Sequence, residues 1–144
     1  MTLAQKVQDE AVKNAIAADC TQLIDKQVSA KGGLGGMTLK AAYKGVKGIG
    51  ADYIPGAIKR LLPETATALD PIWAEGVAKG DPVAHLTENS DRTADLILST
   101  TDARIEKRGS GIVATLYGKL RKSVKSDVVA AVPELAAILQ KHTA

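Results

Sequence analysis

A glycine-broken approach to a short, lysine-striped helix occurs twice in this chain, as KGGLGGMTLKAAYKGVKGIG from Lys31 and, in altered form, as KRGSGIVATLYGKLRK from Lys107. Setting Tyr43 against Tyr117 places Gly35 opposite Gly109, Leu39 opposite Val113, Val46 opposite Leu120 and Lys47 opposite Arg121. The correspondence resumes where LLPETATAL (Leu61 to Leu69) faces AVPELAAIL (Ala131 to Leu139). The tyrosine-to-proline separations are 20 and 16 residues, a difference of about one helical turn. Upstream, Ala18-Asp19 and Ala94-Asp95 correspond loosely. The implied unit is a long helix, a glycine turn, a basic helix and a proline-bearing helix, present at about 12–72 and 90–141 within one domain, 1–144. Two such units are expected to pack about a pseudo-twofold axis with their apolar stripes facing. Two copies are too few for a solenoid.

Apolar residues recur at helical spacing throughout, with no sustained period-two alternation, so the expected fold is all-α: a compact bundle of about six to eight helices. Phe is absent and the aromatics are Tyr43, Tyr53, Trp73 and Tyr117, so the core must come from Ala, Leu, Val and Ile. Thr2 and Gln5 form a capping box at the start of an amphipathic stretch, broken near Asp9 and closed by a left-handed Gly32. The second helix is expected after Gly35 and Gly36, stopped by Gly48 and Gly50, with Lys40, Lys44 and Lys47 stacked along one side. Asp52 is placed to cap the next helix, with Pro55 in its first turn. Pro63 and Pro71 should divide the helical stretch beyond it, with a kink near Asp70 and Asp70 as a cap. A turn at Gly80–Pro82 leads to a short helix through Val83 and Leu86, then a helix from Ser90 or Asp91 to about Lys107. The last stretch reads as two helices, Ile112–Lys125 and one capped by Ser126 or Asp127, bent at Pro133.

The net charge of +3 conceals a segregation. Residues 31–60 carry six basic and one acidic side chain, 61–103 two and eight, and 104–144 eight and three. Such blocks fit either an acidic partner or mutual neutralisation within the fold or between subunits. The single Cys20 cannot form an internal disulfide. The N-terminal stretch has no basic segment followed by an apolar one, and no apolar run approaches the ~20 residues of a membrane span. The expectation is a soluble, cytoplasmic protein without a transmembrane segment.

The runs KGGLGG, AAYK with VK, LLP, LDP with Trp73, TDAR (Thr101 to Arg104) and YGKLR together resemble a family of small uncharacterised proteins of actinobacteria and cyanobacteria, over about Asp19 to Leu139. The resemblance implies a small cytoplasmic helical protein and transfers no catalytic residue.

Gly35, Gly36, Thr38 and Lys40 invite an anion-loop reading, yet neither the phosphate-loop nor the dinucleotide fingerprint is present and no strand precedes them. Lys40, Lys44 and Lys47, with Lys119, Arg121, Lys122 and Lys125, are the candidate anion-binding set. The alternative is a solvated basic face, with Tyr43 and Tyr117 as core rings whose hydroxyls reach polar partners. Asp102 sits at the edge of its helix's apolar stripe, where it is expected to pair with Arg121 or accept from Tyr117 as a structural polar group. His85, His142 and Cys20 have no metal-ligand spacing; Cys20 reads as a core residue, His142 as part of a fraying terminus and Trp73 as a core anchor. Ser110 has flanking glycines but no strand or ordered base to make it a nucleophile. No catalytic residue, metal site or cofactor is assigned.

The lack of a catalytic constellation and the opposed charge blocks point first to a non-enzymatic helical module working through protein contacts, with itself as a homodimer or with an unidentified protein. One alternative is a polyanion, nucleic acid or anionic membrane, bound through the basic helices 37–50 and 111–125. Another is a small-molecule cavity between the halves, since an alanine-rich core without Phe can leave internal space.

Overall fold

A computed structural model describes residues 1–108 and 111–144; Gly109 and Ser110, and with them the Gly35–Gly109 correspondence and the nucleophile reading, lie outside the described residues. The described chain forms seven helices and no strand: α1 (Leu3–Lys6), α2 (Glu10–Ala30), α3 (Gly33–Lys47), α4 (Tyr53–Ala78), α5 (Pro82–Glu88), α6 (Ser90–Arg108) and α7 (Gly111–Thr143). The long helices α2 and α6 each pack on both α4 and α7, α3 lies against α2, α7 and α4, and α5 bridges α4 and α7.

Local chemistry fixes most helix starts. The Thr2 hydroxyl accepts from Gln5 N at 3.1 Å while Gln5 Oε1 accepts from Thr2 N at 2.9 Å, the reciprocal capping box of α1. Asp9 caps α2 through Val12 N, and Asp81 caps α5 through Ala84 N. Between α2 and α3 the left-handed residue is Gly33 (φ 72°), whereas Gly32 is extended, so the turn closes one residue later than the spacing predicts. Gly35 and Gly36 consequently lie inside α3. A Cβ on Gly36 would stand 2.3 Å from the Lys31 carbonyl oxygen, so this glycine admits a close backbone approach.

Three expected helix boundaries are absent. First, α4 continues through Pro63 and Pro71 as one helix of 26 residues. Each proline removes one backbone bond, at a cost of about 3 kcal/mol. The opposite flank buries Leu62, Leu69, Ile72 and Trp73, each contributing about 1.5–3 kcal/mol, which more than offsets both. Second, Asp70, expected to cap its own helix, instead accepts from Leu3 N at 2.7 Å and Ala4 N at 3.4 Å and so caps α1 from across the bundle. Asp52 does occupy the N-cap position of α4 but makes no side-chain cap bond. Third, α7 runs unbroken for 33 residues, roughly 50 Å, through Pro133. Ser126 bonds back to the Ser123 carbonyl and Asp127 reaches Lys31 Nζ at 2.7 Å, so neither caps a new helix. The region between the basic and proline-bearing segments carries Gly48 and Gly50 in the first half but no glycine from Lys119 to Pro133, so nothing there stops the helix.

The core is concentrated at one end. Leu3, Val7, Ile16, Leu69, Ile72, Leu86, Val132 and Leu139 are essentially inaccessible and form one cluster from α1, α2, α4, α5 and α7. Toward the other end, where α3, the start of α4, the end of α6 and the start of α7 meet, the aliphatic side chains Ile54, Ile58, Leu61, Ile105, Val113, Leu116 and Leu120 are only half-buried. Among the described residues no helix is long and apolar enough to cross a membrane.

Candidate functional site

The less closely packed end holds two polar clusters, each of an aspartate, a tyrosine and a basic side chain. On α6 and α7, Asp102 Oδ1 accepts from the Tyr117 hydroxyl at 2.5 Å and from Arg121 Nε at 2.8 Å, and Asp102 Oδ2 accepts from Arg121 Nη2 at 3.0 Å. On α2 and α3, Asp25 accepts a short hydrogen bond from the Tyr43 hydroxyl and a second from Lys47 Nζ at 3.2 Å. Lys47 also stands 4.9 Å from the centre of the Tyr43 ring. Each cluster joins a long helix, α2 or α6, to the helix that comes after it in the chain. The tyrosine and cation sit one helical turn apart, so both reach one carboxylate.

The electrostatics of the two are parallel. The Arg121 guanidinium, then the Tyr117 hydroxyl, hold Asp102 below the usual carboxylate range; the Tyr43 hydroxyl, then Lys47, do the same for Asp25. Burial, followed by the adjacent carboxylate, pushes both tyrosines well above their ordinary value. These phenols therefore stay protonated and act as hydrogen-bond donors, with no capacity for proton abstraction near neutral pH.

Of the candidate anion-binding cations, Lys47 and Arg121 are held in these clusters, and Lys125 pairs with Asp95 at 3.0 Å and Asp91 at 4.0 Å. Lys40, Lys44, Lys119 and Lys122 are exposed and have no carboxylate partner among the described residues. Gly35 and Gly36, beside Lys40, lie in the first turn of α3, and the Thr38 hydroxyl bonds back to the Leu34 carbonyl at 3.1 Å.

Several residues stand differently from their expected places. His142 is tied down rather than frayed: its Nε2 lies 2.6 Å from Asp19 Oδ2, and Thr143 beside it is buried. Hydrogen bonding to His142 lowers the Asp19 pKa. Buried His85 meets Glu75 Oε1 at 3.0 Å, and Arg92 grips the same carboxylate with two 2.9 Å bonds. Those bonds, Arg92 first and His85 second, bring Glu75 down to about 2. Trp73 is buried in the core, and burial pushes the Cys20 thiol up to about 12, an unreactive setting. Among the described residues no three of His, Cys, Asp and Glu converge to hold a metal.

Asp25 was not singled out by sequence: the register that sets Tyr43 against Tyr117 places Val28, not Asp25, opposite Asp102. The looser match of Asp19 with Asp95 pairs residues whose surroundings differ, since Asp19 meets His142 and Asp95 meets Lys125.

Beside the Tyr117 cluster lies a cavity of about 470 Å³. Ile24, Val46, Ile54, Ile58 and Leu61 form its wall from the first half; Thr101, Ile105, Val113 and Tyr117 form it from the second. Tyr53, Arg60 and Arg104 supply its remaining polar groups. The Tyr117 ring faces this space while its hydroxyl is fixed on Asp102, so the polar cluster holds the cavity wall in place.

The chain belongs to a family of unknown function, DUF6918, whose family model matches residues 3–143. No curated protein and no solved structure matches it.

Proposed function

We propose that this protein holds a small, largely apolar molecule in the cavity between its two helical halves, as a binding protein and not as an enzyme. The observation that carries this reading is the cavity itself. Its volume of about 470 Å³ falls within the roughly 300–1,000 Å³ typical of small-molecule sites, and its walls are predominantly aliphatic. Wall residues such as Ile58 and Leu61 are half-buried in the free chain, and covering them with an apolar ligand removes that surface from water. The tyrosines cannot serve as bases, and Asp25 and Asp102 are engaged with cations, which supports binding without chemistry.

The reading includes the duplication. We take residues 12–72 and 90–141 as two copies of one unit within a single domain, supported by the matching Asp25–Tyr43–Lys47 and Asp102–Tyr117–Arg121 clusters. A cytoplasmic, bacterial setting is part of the same proposal and rests on the family resemblance and the single cysteine.

The test is calorimetric titration with 1-octanol. Saturable binding of one molecule per chain is expected, abolished in Ala57→Phe, whose ring would occupy the cavity that Ala57 lines. Absence of saturable binding, or undiminished binding to Ala57→Phe, would refute the proposal.

A second reading, contact with another copy or another protein, draws on Leu34 and Met37. These side chains, 83% and 68% exposed, lie on successive turns of α3. Light scattering decides it: concentration-dependent dimerisation lost in Leu34→Ser/Met37→Ser supports contact through this face, and a monomer at all concentrations excludes self-association.

A further inference from the structure

Resting on the cavity reading, we infer that the bound molecule is a single-chain monocarboxylate whose head group is held by Arg60. Two of the cavity's lining residues carry positive charge, Arg60 and Arg104, and none carries negative charge. Arg104 is already engaged, its Nη1 lying 3.4 Å from Glu64 Oε1 and 3.5 Å from the Arg60 carbonyl oxygen. Arg60 has no carboxylate partner among the described residues. Its guanidinium is nevertheless positioned: it folds back along α4 to lie 5.7 Å from the centre of the Tyr53 ring. A Cβ on Gly56 would lie 3.3 Å from Arg60 Nη1, a contact that this flexible side-chain end relieves by shifting a few tenths of an ångström. The planar N–H fork of Arg60 has no carboxylate partner among the described residues, and such a fork matches the two oxygens of a carboxylate.

The aliphatic wall takes the chain and Arg60 takes the head. One uncommitted guanidinium neutralises one negative charge, which favours a carboxylate over a phosphate monoester dianion. A volume of about 470 Å³ suits one alkyl chain rather than a two-chained lipid.

The experiment compares octanoate, octyl phosphate and 1-octanol by calorimetric titration on the full chain, in wild type and Arg60→Gln. Wild type is expected to bind octanoate at least tenfold more tightly than octanol, about 1.4 kcal/mol. Octyl phosphate is expected to be weaker than octanoate. In Arg60→Gln the octanoate preference should vanish while octanol binding is retained, which also shows that the variant is folded. If octanol binds as well as octanoate to wild type, the carboxylate inference fails and the cavity reading stands. If octyl phosphate binds more tightly than octanoate, the monocarboxylate assignment is overturned. If Arg60→Gln keeps the full preference, Arg60 is not the recognition group, and if no ligand binds, the cavity reading fails too.

Discussion

Leu61 and Leu69 lie on α4, yet truncating each to alanine should have very different consequences. Leu69 is 1% exposed within the core cluster, whereas Leu61 is half-buried and lines the cavity. Leu→Ala removes three carbons, worth about 2.4 kcal/mol at ~0.8 kcal/mol per buried methylene. At position 69 the void left behind is enclosed, and a cavity cost on the order of 1 kcal/mol adds to this, giving about 3–4 kcal/mol. At position 61 the carbons already border empty space. The substitution enlarges an existing opening, so the cavity cost disappears and about half the transfer term remains, roughly 1 kcal/mol. Urea denaturation followed by circular dichroism measures both. With a slope of about 2 kcal/mol per molar, the midpoint should fall by roughly 1.5–2 M for Leu69→Ala and about 0.5 M for Leu61→Ala. Equal losses at unchanged slope would refute the division of the bundle into a closed and an open end.

The same structure sets three further outcomes. Asp19, Asp25, Asp102 and Glu75 all have folded-state pKa values below their unfolded ones. Their contribution to stability is therefore complete above the unfolded value of about 4 and is lost as pH falls through the folded values. Thermal melts of wild type should lose midpoint steeply below about pH 4, and Asp102→Asn should lose less over that interval because one of these groups is gone; identical profiles would contradict the assignment. Gly76→Ala places a Cβ 2.6 Å from Pro82 Cα, so α5 must move off α4. Overpacking of about 1–3 kcal/mol outweighs the ~1 kcal/mol gain in helix propensity, and denaturant titration should show net destabilisation. Cys20 should react with a maleimide only as fast as the chain opens, and labelling within seconds in native buffer would show that the thiol is accessible after all.

The all-helical architecture was legible because it rests on periodicity, and Leu69, Ile72, Trp73, Leu98 and Leu139 occupy the inward positions that their spacing indicates. The misread boundaries share a cause. Proline and potential cap residues report a local preference, whereas α4 and α7 are held by tertiary burial that overrides it. Asp70 illustrates this, since its carboxylate serves amides nearly seventy residues away, a pairing that local sequence cannot express. Asp102, Tyr117 and Arg121 could be brought together from helix spacing plus the assumption that adjacent helices pack. Asp25 could not be placed the same way, because the Tyr43–Tyr117 register sets Val28 opposite Asp102. The cavity was less legible, because a void is set by how far the helices stand apart. Likewise the position of Arg60 depends on the direction of the Tyr53 ring.

The most direct measurement is a set of intermolecular nuclear Overhauser contacts between the alkyl protons of bound octanoate and the methyl groups of the chain. The account requires contacts to Ile58 and Leu61 from one half and to Ile105 and Val113 from the other, in a single bound species. Contacts confined to Leu34 and Met37 on the outer face of α3, or to one half alone, would contradict it.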